Sequence, residues 1–397
     1  MEKNTKSLEN FEVFSTSLYE KMKFINPGIE DLELYEFQYA LKNFTPALGW
    51  QIVNPDEMLE IEHQLQQKEF FLSIKDRPKI DNKIVLDEKV VSLTQKLFVG
   101  LVLEQYRHDW VSELFYFDIR GFFFIPRTRY FTKEVLAHFG DAPYKNFEKK
   151  QEKLKRNLEI GYKEYKMANA DVDGMLFQII RKLIDKKPLP ILLTIAGPTA
   201  AGKTEIVSRL REDLTAEGYS VSSIEMDNFS KDKEYRDTQK SSFSTIHFDL
   251  FKKCMQEIME GKSTLIPAYD FYNLVSSHDP DGNLRPGAST INIDPADVIF
   301  LEGNFPFHLP EIEKFLGIKI VYMADDDVRL KRKWMRDIDL RKKYDPRYFQ
   351  NRYFRTQFLR AQETYLPLMQ VCEMVVDTSA AKIWLTPELK NLMESTD

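Results

Sequence analysis

The sequence predicts a three-layer α/β domain on a parallel sheet, preceded by a mainly α-helical domain, with the boundary near residue 170. Two observations carry this. Beyond residue 170, short apolar runs (ILLTIAG, YSVSSIEM, DVIFLEG, IKIVYMA) alternate with helical patterns, and strands separated by helices imply a parallel sheet covered on both faces. Before residue 170 the chain is rich in Phe, Tyr, Glu and Lys, and its apolar residues recur at helical spacing.

A chain of 397 residues is long enough for two domains, each with its own core. Hydrophobic content of 43% and charged content of 30% describe an ordinary soluble globular protein. The net charge of −6 argues against a wholesale nucleic-acid binder, which needs clustered positive charge. Cys254 and Cys372 form no metal or redox spacing and read as buried thiols, consistent with a reducing compartment. The N-terminal MEKNTKSLENFEVF lacks the apolar run of a signal peptide, and its acidic residues disfavour a transit peptide. No segment approaches the ~20 apolar residues of a membrane span, so a cytoplasmic location is expected.

Helical spacing covers Leu8–Phe24, Ile29–Phe44, Glu57–Phe71 and Lys89–Phe117; in the last, Val90, Leu93, Leu97 and Leu101 share one face. FFFIP at Phe122–Pro126 reads as a strand or a buried turn. The charged stretch Lys145–Lys166 reads as a solvated helix leading out of the first domain. A helix over Asp173–Asp185 leads into the second domain, so the expected division is 1–170 and 171–397.

Gly197-Pro198-Thr199-Ala200-Ala201-Gly202-Lys203-Thr204 fits G-x-x-x-x-G-K-[ST], with an apolar strand running in and a helical segment running out. The glycines let successive N–H groups turn toward phosphate oxygens, and the helix N-terminus adds its positive dipole end. Lys203 is expected to bridge β- and γ-phosphates and Thr204 to ligate Mg²⁺. This P-loop predicts nucleoside-triphosphate binding. Asp227, at the end of YSVSSIEM, is expected beside the P-loop strand at the sheet's ligand edge, where it could accept a hydroxyl proton or hold a Mg²⁺ water. Glu302 ends the apolar run DVIFL, and an acid there is costly to bury unless it meets a cation. Between Arg329 and Arg347 nine basic and three acidic side chains occur, and helical spacing puts Arg329, Arg332, Lys333 and Arg336 on one face. Such a helix could neutralise charge on a transferring phosphoryl group.

The order of these motifs over residues 188–380 resembles the uridine kinase and phosphoribulokinase family of P-loop small-molecule kinases. The resemblance rests on GPTAAGKT, EMDNFS, FSTIHFDLF, PAYDF, DVIFLEG, RLKRKWMRDIDLRKK, and a closing YLPLM followed by CEMVVD. It implies ATP as phosphoryl donor with Mg²⁺, and a small-molecule hydroxyl as acceptor, most simply of a uridine- or cytidine-type nucleoside. It makes Asp227 the catalytic base and puts Thr204 and Glu302 at metal-shell positions. Arg336, Arg341 and Lys343 fall on the phosphate-contacting lid, and Tyr269 and Phe271 on the acceptor pocket. Asp249 matches an aspartate of the acceptor segment.

The chain also departs from that pattern. Where uridine kinases carry HPDAFD it has STIHFD, so the aspartate for the ribose hydroxyls is replaced by Ile246. The expected base-contacting histidine is Leu274, with His278 the nearest candidate, and an inserted-looking SSHDPDGNLRPG follows. GPTA-x-GKT also looks like the P-loop of tRNA dimethylallyltransferases, whose downstream pattern is not followed here. Kinases of another acceptor (a phosphosugar, a pantothenate-like alcohol, glycerate) remain open alternatives, as does a nucleotide-dependent switch or scaffold. A GTPase-type N-K-x-D segment is absent from the sequence. The expected partners are ATP and the acceptor, with no membrane or nucleic acid, and a homo-oligomer or protein partner is possible through the N-terminal domain, residues 1–170, in which no family is recognised.

Overall fold

The computed structural model describes residues 7–75, 79–80, 83–150, 166–239, 243–304, 313, 317–336, 355 and 357–395. The chain folds into two compact units. One comprises Met1–Arg129, Lys150–Ala168 and Asp326–Glu363; the other comprises Tyr130–Lys149, Asn169–Asp325 and Thr364–Asp397.

The first unit is mainly helical. Helix α1 (Phe11–Ile25) starts where the Asn10 side chain accepts from Val13 N, and α2 (Leu34–Lys42) starts in a capping box between Glu33 and Glu36. Helix α3 (Glu88–Val102) buries Val90, Leu93, Leu97 and Leu101, the face expected from their spacing. It stops well short of Phe117, because the N–H groups of Gln105 and Tyr106 both turn back onto Gly100 O. Only glycine fits at position 100, where a Cβ would stand 2.0 Å from the Tyr106 ring. A short helix α4 (His108–Leu114) and a hairpin follow, β1 (Phe115–Asp118) paired antiparallel with β2 (Phe123–Pro126), so FFFIP is a strand. Aromatic rings fill the core. Phe14 stacks on Trp50 at 4.4 Å, and Phe98 lies within 6 Å of Phe117, Phe122 and Phe124. Each such fully buried side chain contributes ~1.5–3 kcal/mol.

The second unit is built on a seven-stranded sheet whose strands are β3 (Lys145–Asn146), β4 (Ile191–Ala196), β5 (Val221–Glu225), β10 (Val298–Gly303), β11 (Ile318–Met323), β12 (Met374–Asp377) and β13 (Lys382–Leu385). The order across the sheet is β3-β13-β12-β11-β4-β10-β5. The five strands from β12 to β5 run parallel, as the alternating pattern predicts, while β13 and β3 extend one edge antiparallel. Strands β4 and β10 are buried at every position, which is why they read as unbroken apolar runs. Helix α5 (Ala170–Lys186) precedes the P-loop strand, α6 (Lys203–Ala216) follows it, and α7 (Phe248–Met259) lies beyond β5. Two small antiparallel pairs complete the unit: β6 (Thr264–Pro267) with β9 (Thr290–Ile293), and β7 (Tyr269–Asp270) with β8 (Val275–Ser276).

Three expectations change. The charged stretch from Lys145 begins as strand β3, which is why residues 130–149 belong to the second unit; residues 151–165 lie outside the described ones. Strand β13 follows the closing CEMVVD run at a place where no strand was read from the sequence. Strand β5 is not beside the P-loop strand, because β10 is inserted between them. Both cysteines are buried, and among the described residues no helix is long and apolar enough to cross a membrane. Helix α8 (Asp326–Trp334) follows β11 but belongs to the first unit.

Candidate phosphate site at the end of the parallel sheet

Strand β4 delivers the chain to the P-loop through Gly197 at φ +150°, where a Cβ would lie 2.2 Å from Tyr322 O of the adjacent strand β11. Any other residue would force those strands apart. Ala200 at φ +61° and Gly202 at φ +105° complete the reversal, and Gly202 is the residue before α6. Tyr322 braces the loop a second way: its hydroxyl donates to Asp173 on α5 at 2.8 Å, and the other Asp173 oxygen pairs with Arg209 of α6 at 2.6 Å. Both side chains of that ion pair are largely buried, so α5, α6 and β11 are tied together through Asp173.

Lys203 Nζ donates to Gly197 O (3.0 Å), Pro198 O (3.2 Å) and Asn304 Oδ1 (3.3 Å). The Thr204 hydroxyl donates to Glu302 Oε1 at 2.8 Å. The strand register explains the meeting, since Glu302 pairs across with Ile195 on one side and Glu225 on the other. Glu302 is 6% exposed, and its second oxygen is buried with no hydrogen-bond partner among the described residues. Burial pushes its carboxyl up to about 7 against the pull of Lys203 and Thr204; Glu225 and Asp227 add to the rise. Burial chiefly, then the Asp227 charge, also raises the Glu225 carboxyl. A buried carboxylate oxygen beside a threonine hydroxyl, with no hydrogen-bond partner among the described residues, suits a hard cation such as Mg²⁺, although the described residues gather no group of three acidic or histidine side chains that could hold a metal by themselves.

Asp227 sits in a 3-10 turn, Met226–Phe229, with its side chain exposed. The turn is tied to the PAYDF segment, because Asn228 Oδ1 accepts from Tyr269 N at 3.3 Å. Tyr269 is buried, its hydroxyl accepts from Arg236 Nη2 at 2.6 Å, and its ring meets that of Phe271 at 5.1 Å. Phe271 is exposed, and Asp249 is exposed in the first turn of α7. Arg336 lies just beyond α8 in the first unit; Arg341 and Lys343 lie outside the described residues.

The sequence missed several participants. Asn304 reaches Lys203, and its position two residues after Glu302 was the available signal. Arg236 lies in the short helix Lys233–Thr238, where nothing marks it among its charged neighbours. The SSHDPDGNLRPG stretch is an ordered loop: Asp232 accepts from Ser276 N and pairs with Arg285 at 2.5 Å, while Ser276, Ser277 and His278 are buried. Ile246 is buried too, and the next residue, His247, lies 6.0 Å ring to ring from His278.

Burial, then the charges of Lys231 and His278, lower His247 to about 4, with Asp232 and Asp279 opposing. A histidine held below its ordinary value contributes stability at high pH that is lost as pH falls from about 6.5 through about 4. Thermal unfolding followed from pH 7 to 4 should therefore lose up to ~3 kcal/mol through this residue. His247→Gln should flatten that part of the profile; an unchanged slope would mean that His247 is not held neutral.

Residues 192–351 match the phosphoribulokinase/uridine kinase family. The uridine kinase of Brevibacillus brevis is 31% identical over 158 residues, spanning 38% of this chain and 68% of that protein. The uridine kinase of Macrococcus caseolyticus is 30% identical over 156 residues, spanning 38% and 70%. A solved structure, described as a possible uridine kinase from Bacillus stearothermophilus, shares 18% identity over 44% of this chain and 93% of that one, with a TM-score of 0.31. With more than two thirds of both curated relatives spanned at 30% identity or better, the chain belongs to the phosphoribulokinase/uridine kinase family of P-loop kinases.

Proposed function

We propose that this protein transfers the γ-phosphoryl group of ATP to a hydroxyl of a small metabolite, with a pyrimidine nucleoside as the first acceptor to test. The observation that carries the reading is the Thr204–Glu302 hydrogen bond beside Lys203, with the second Glu302 oxygen buried and without a partner among the described residues. Lys203 and the loop N–H groups hold the phosphates. Asp227 orients the acceptor hydroxyl and takes its proton as the oxygen attacks the γ-phosphorus, and the bond to the β-phosphate oxygen breaks, releasing ADP. Thr204, Glu302 and Asp227 would hold Mg²⁺, which when bound neutralises charge on the phosphates. Arg336 and Arg341 take the remaining charge of the transition state, and Lys343 adds to phosphate binding.

Arg236 favours a second reading. Among the described residues its guanidinium has no carboxylate partner, its Nε is buried without a hydrogen bond, and it lies against the acceptor-pocket Tyr269. A half-buried cation of that kind suits an acceptor with its own anionic group, and the apolar Ile246 offers nothing to a ribose diol.

ATP consumption with Mg²⁺ should be measured against uridine, cytidine, other nucleosides, ribulose 5-phosphate, pantothenate and glycerate. Stimulation by uridine or cytidine supports the first reading, and stimulation by anionic alcohols alone supports the second. In that second case Arg236→Met should raise KM for the acceptor at least ~10-fold with KM for ATP unchanged, as expected for loss of a charged hydrogen bond. No stimulation by any acceptor would overturn the kinase reading.

A further inference from the structure

Glu302 has an acidic neighbour that the phosphate-site motifs do not supply. Strands β10 and β5 run parallel and pair Glu302 with Glu225 as direct Cα partners. Paired residues on neighbouring strands send their side chains to the same face of a sheet, and the strands lie ~4.8 Å apart. Thr204 fixes which face this is, because it donates to Glu302 from the first turn of α6. The same helix carries Arg211, the cation whose charge acts on Glu225. Two carboxylates therefore stand side by side on the α6 side of the sheet, all within the second unit.

The fold alone gains nothing from that pairing. Glu302 is buried, with one oxygen lacking a partner among the described residues, and Glu225 is half-buried. Among the described residues the Glu225 carboxylate takes part in no hydrogen bond or ion pair, and Arg211 is exposed. Like charges at that spacing repel, and burial strengthens the repulsion, so a neutral side chain at either position would cost less. A cation at the orphaned Glu302 oxygen offsets both charges. The described residues gather no three acids close enough to ligate one ion directly. Magnesium suits that arrangement, because it keeps several of its waters and takes only one or two carboxylates. We propose that Glu225 is a positioning residue of the cation site, accepting a hydrogen bond from a water on the Mg²⁺ that Glu302 and Thr204 would hold. This rests on the kinase reading above. A contact of this kind orients an ion without ligating it, and its loss typically costs 10–100-fold in metal affinity or activity.

The test uses the full chain carrying Glu225→Gln, Arg211→Met or Glu302→Gln. Mn²⁺, an octahedral ion with the same taste for oxygen and visible by electron paramagnetic resonance, replaces Mg²⁺ in titrations of the ATP complex. ATP affinity and thermal unfolding are measured separately in EDTA. Glu225→Gln should weaken Mn²⁺ binding ~10-fold or more, with metal-free ATP affinity within about twofold of wild type and no loss of stability. Arg211→Met, which removes only an exposed charge, should leave Mn²⁺ affinity within about twofold. Wild-type Mn²⁺ affinity in Glu225→Gln, with affinity lost in Glu302→Gln, overturns the inference and leaves the kinase reading intact. Equal losses in Glu225→Gln and Arg211→Met, or a Glu225→Gln protein less stable in EDTA, make Glu225 a structural partner of α6 and also overturn it. Wild-type Mn²⁺ affinity in Glu302→Gln would remove the cation site itself, and with it the reading on which the inference rests.

Discussion

Asp227→Ala protein should bind ATP as the wild type does and turn over at least ~100-fold more slowly, the usual scale for loss of a general base. The structure makes this a clean experiment. The Asp227 side chain is exposed, and the turn that carries it is held by other atoms: Ser230 N donates to Asp227 O, His247 N to Phe229 O, and Tyr269 N to Asn228 Oδ1. An exposed side chain whose backbone is fixed by its neighbours changes stability by no more than ~0.5 kcal/mol on truncation. ADP release, followed beside ATP titration and thermal unfolding, therefore separates chemistry from folding. Turnover within about fivefold of wild type would remove Asp227 from the mechanism, since a base contributes far more.

Glu302→Gln should weaken Mg²⁺-dependent turnover ~100-fold or more, while the metal-free protein becomes no less stable. The substitution keeps the shape of the side chain and an oxygen to accept from Thr204, but removes a charge that burial makes expensive. If Glu302 were there for the fold, losing its charge beside Lys203 would lower stability. If it is there for a cation, stability holds and the metal requirement suffers. Thermal unfolding in EDTA, beside the Mg²⁺ dependence of kcat, distinguishes the two. A destabilised variant with a wild-type Mg²⁺ response would make Glu302 a structural residue.

Part of the molecule could be read directly from the chain. The P-loop spacing, the unbroken apolar runs of β4 and β10, and the face Val90-Leu93-Leu97-Leu101 are local patterns, and local patterns depend on chemistry within a few residues. The two-residue strand β3 was missed because its partner, β13, is more than two hundred residues away. Helix α3 was drawn too long because the contact that ends it, Tyr106 against Gly100, is steric and leaves no trace in hydrophobic spacing.

The candidate site divides the same way. By itself the sequence determined that a phosphate loop, two carboxylates and a basic segment occur in one order along the chain. Tertiary structure decided which of them meet. The insertion of β10 between β4 and β5 sets Glu302 against Thr204 and puts Asp227 one strand further out. Burial decided the rest: it sets Arg236 against Tyr269 with no carboxylate partner among the described residues and takes Arg329 out of the basic face into an ion pair. Helical spacing gives a residue its direction around the axis, but only packing against the rest of the fold decides whether that direction is solvent, ligand or core.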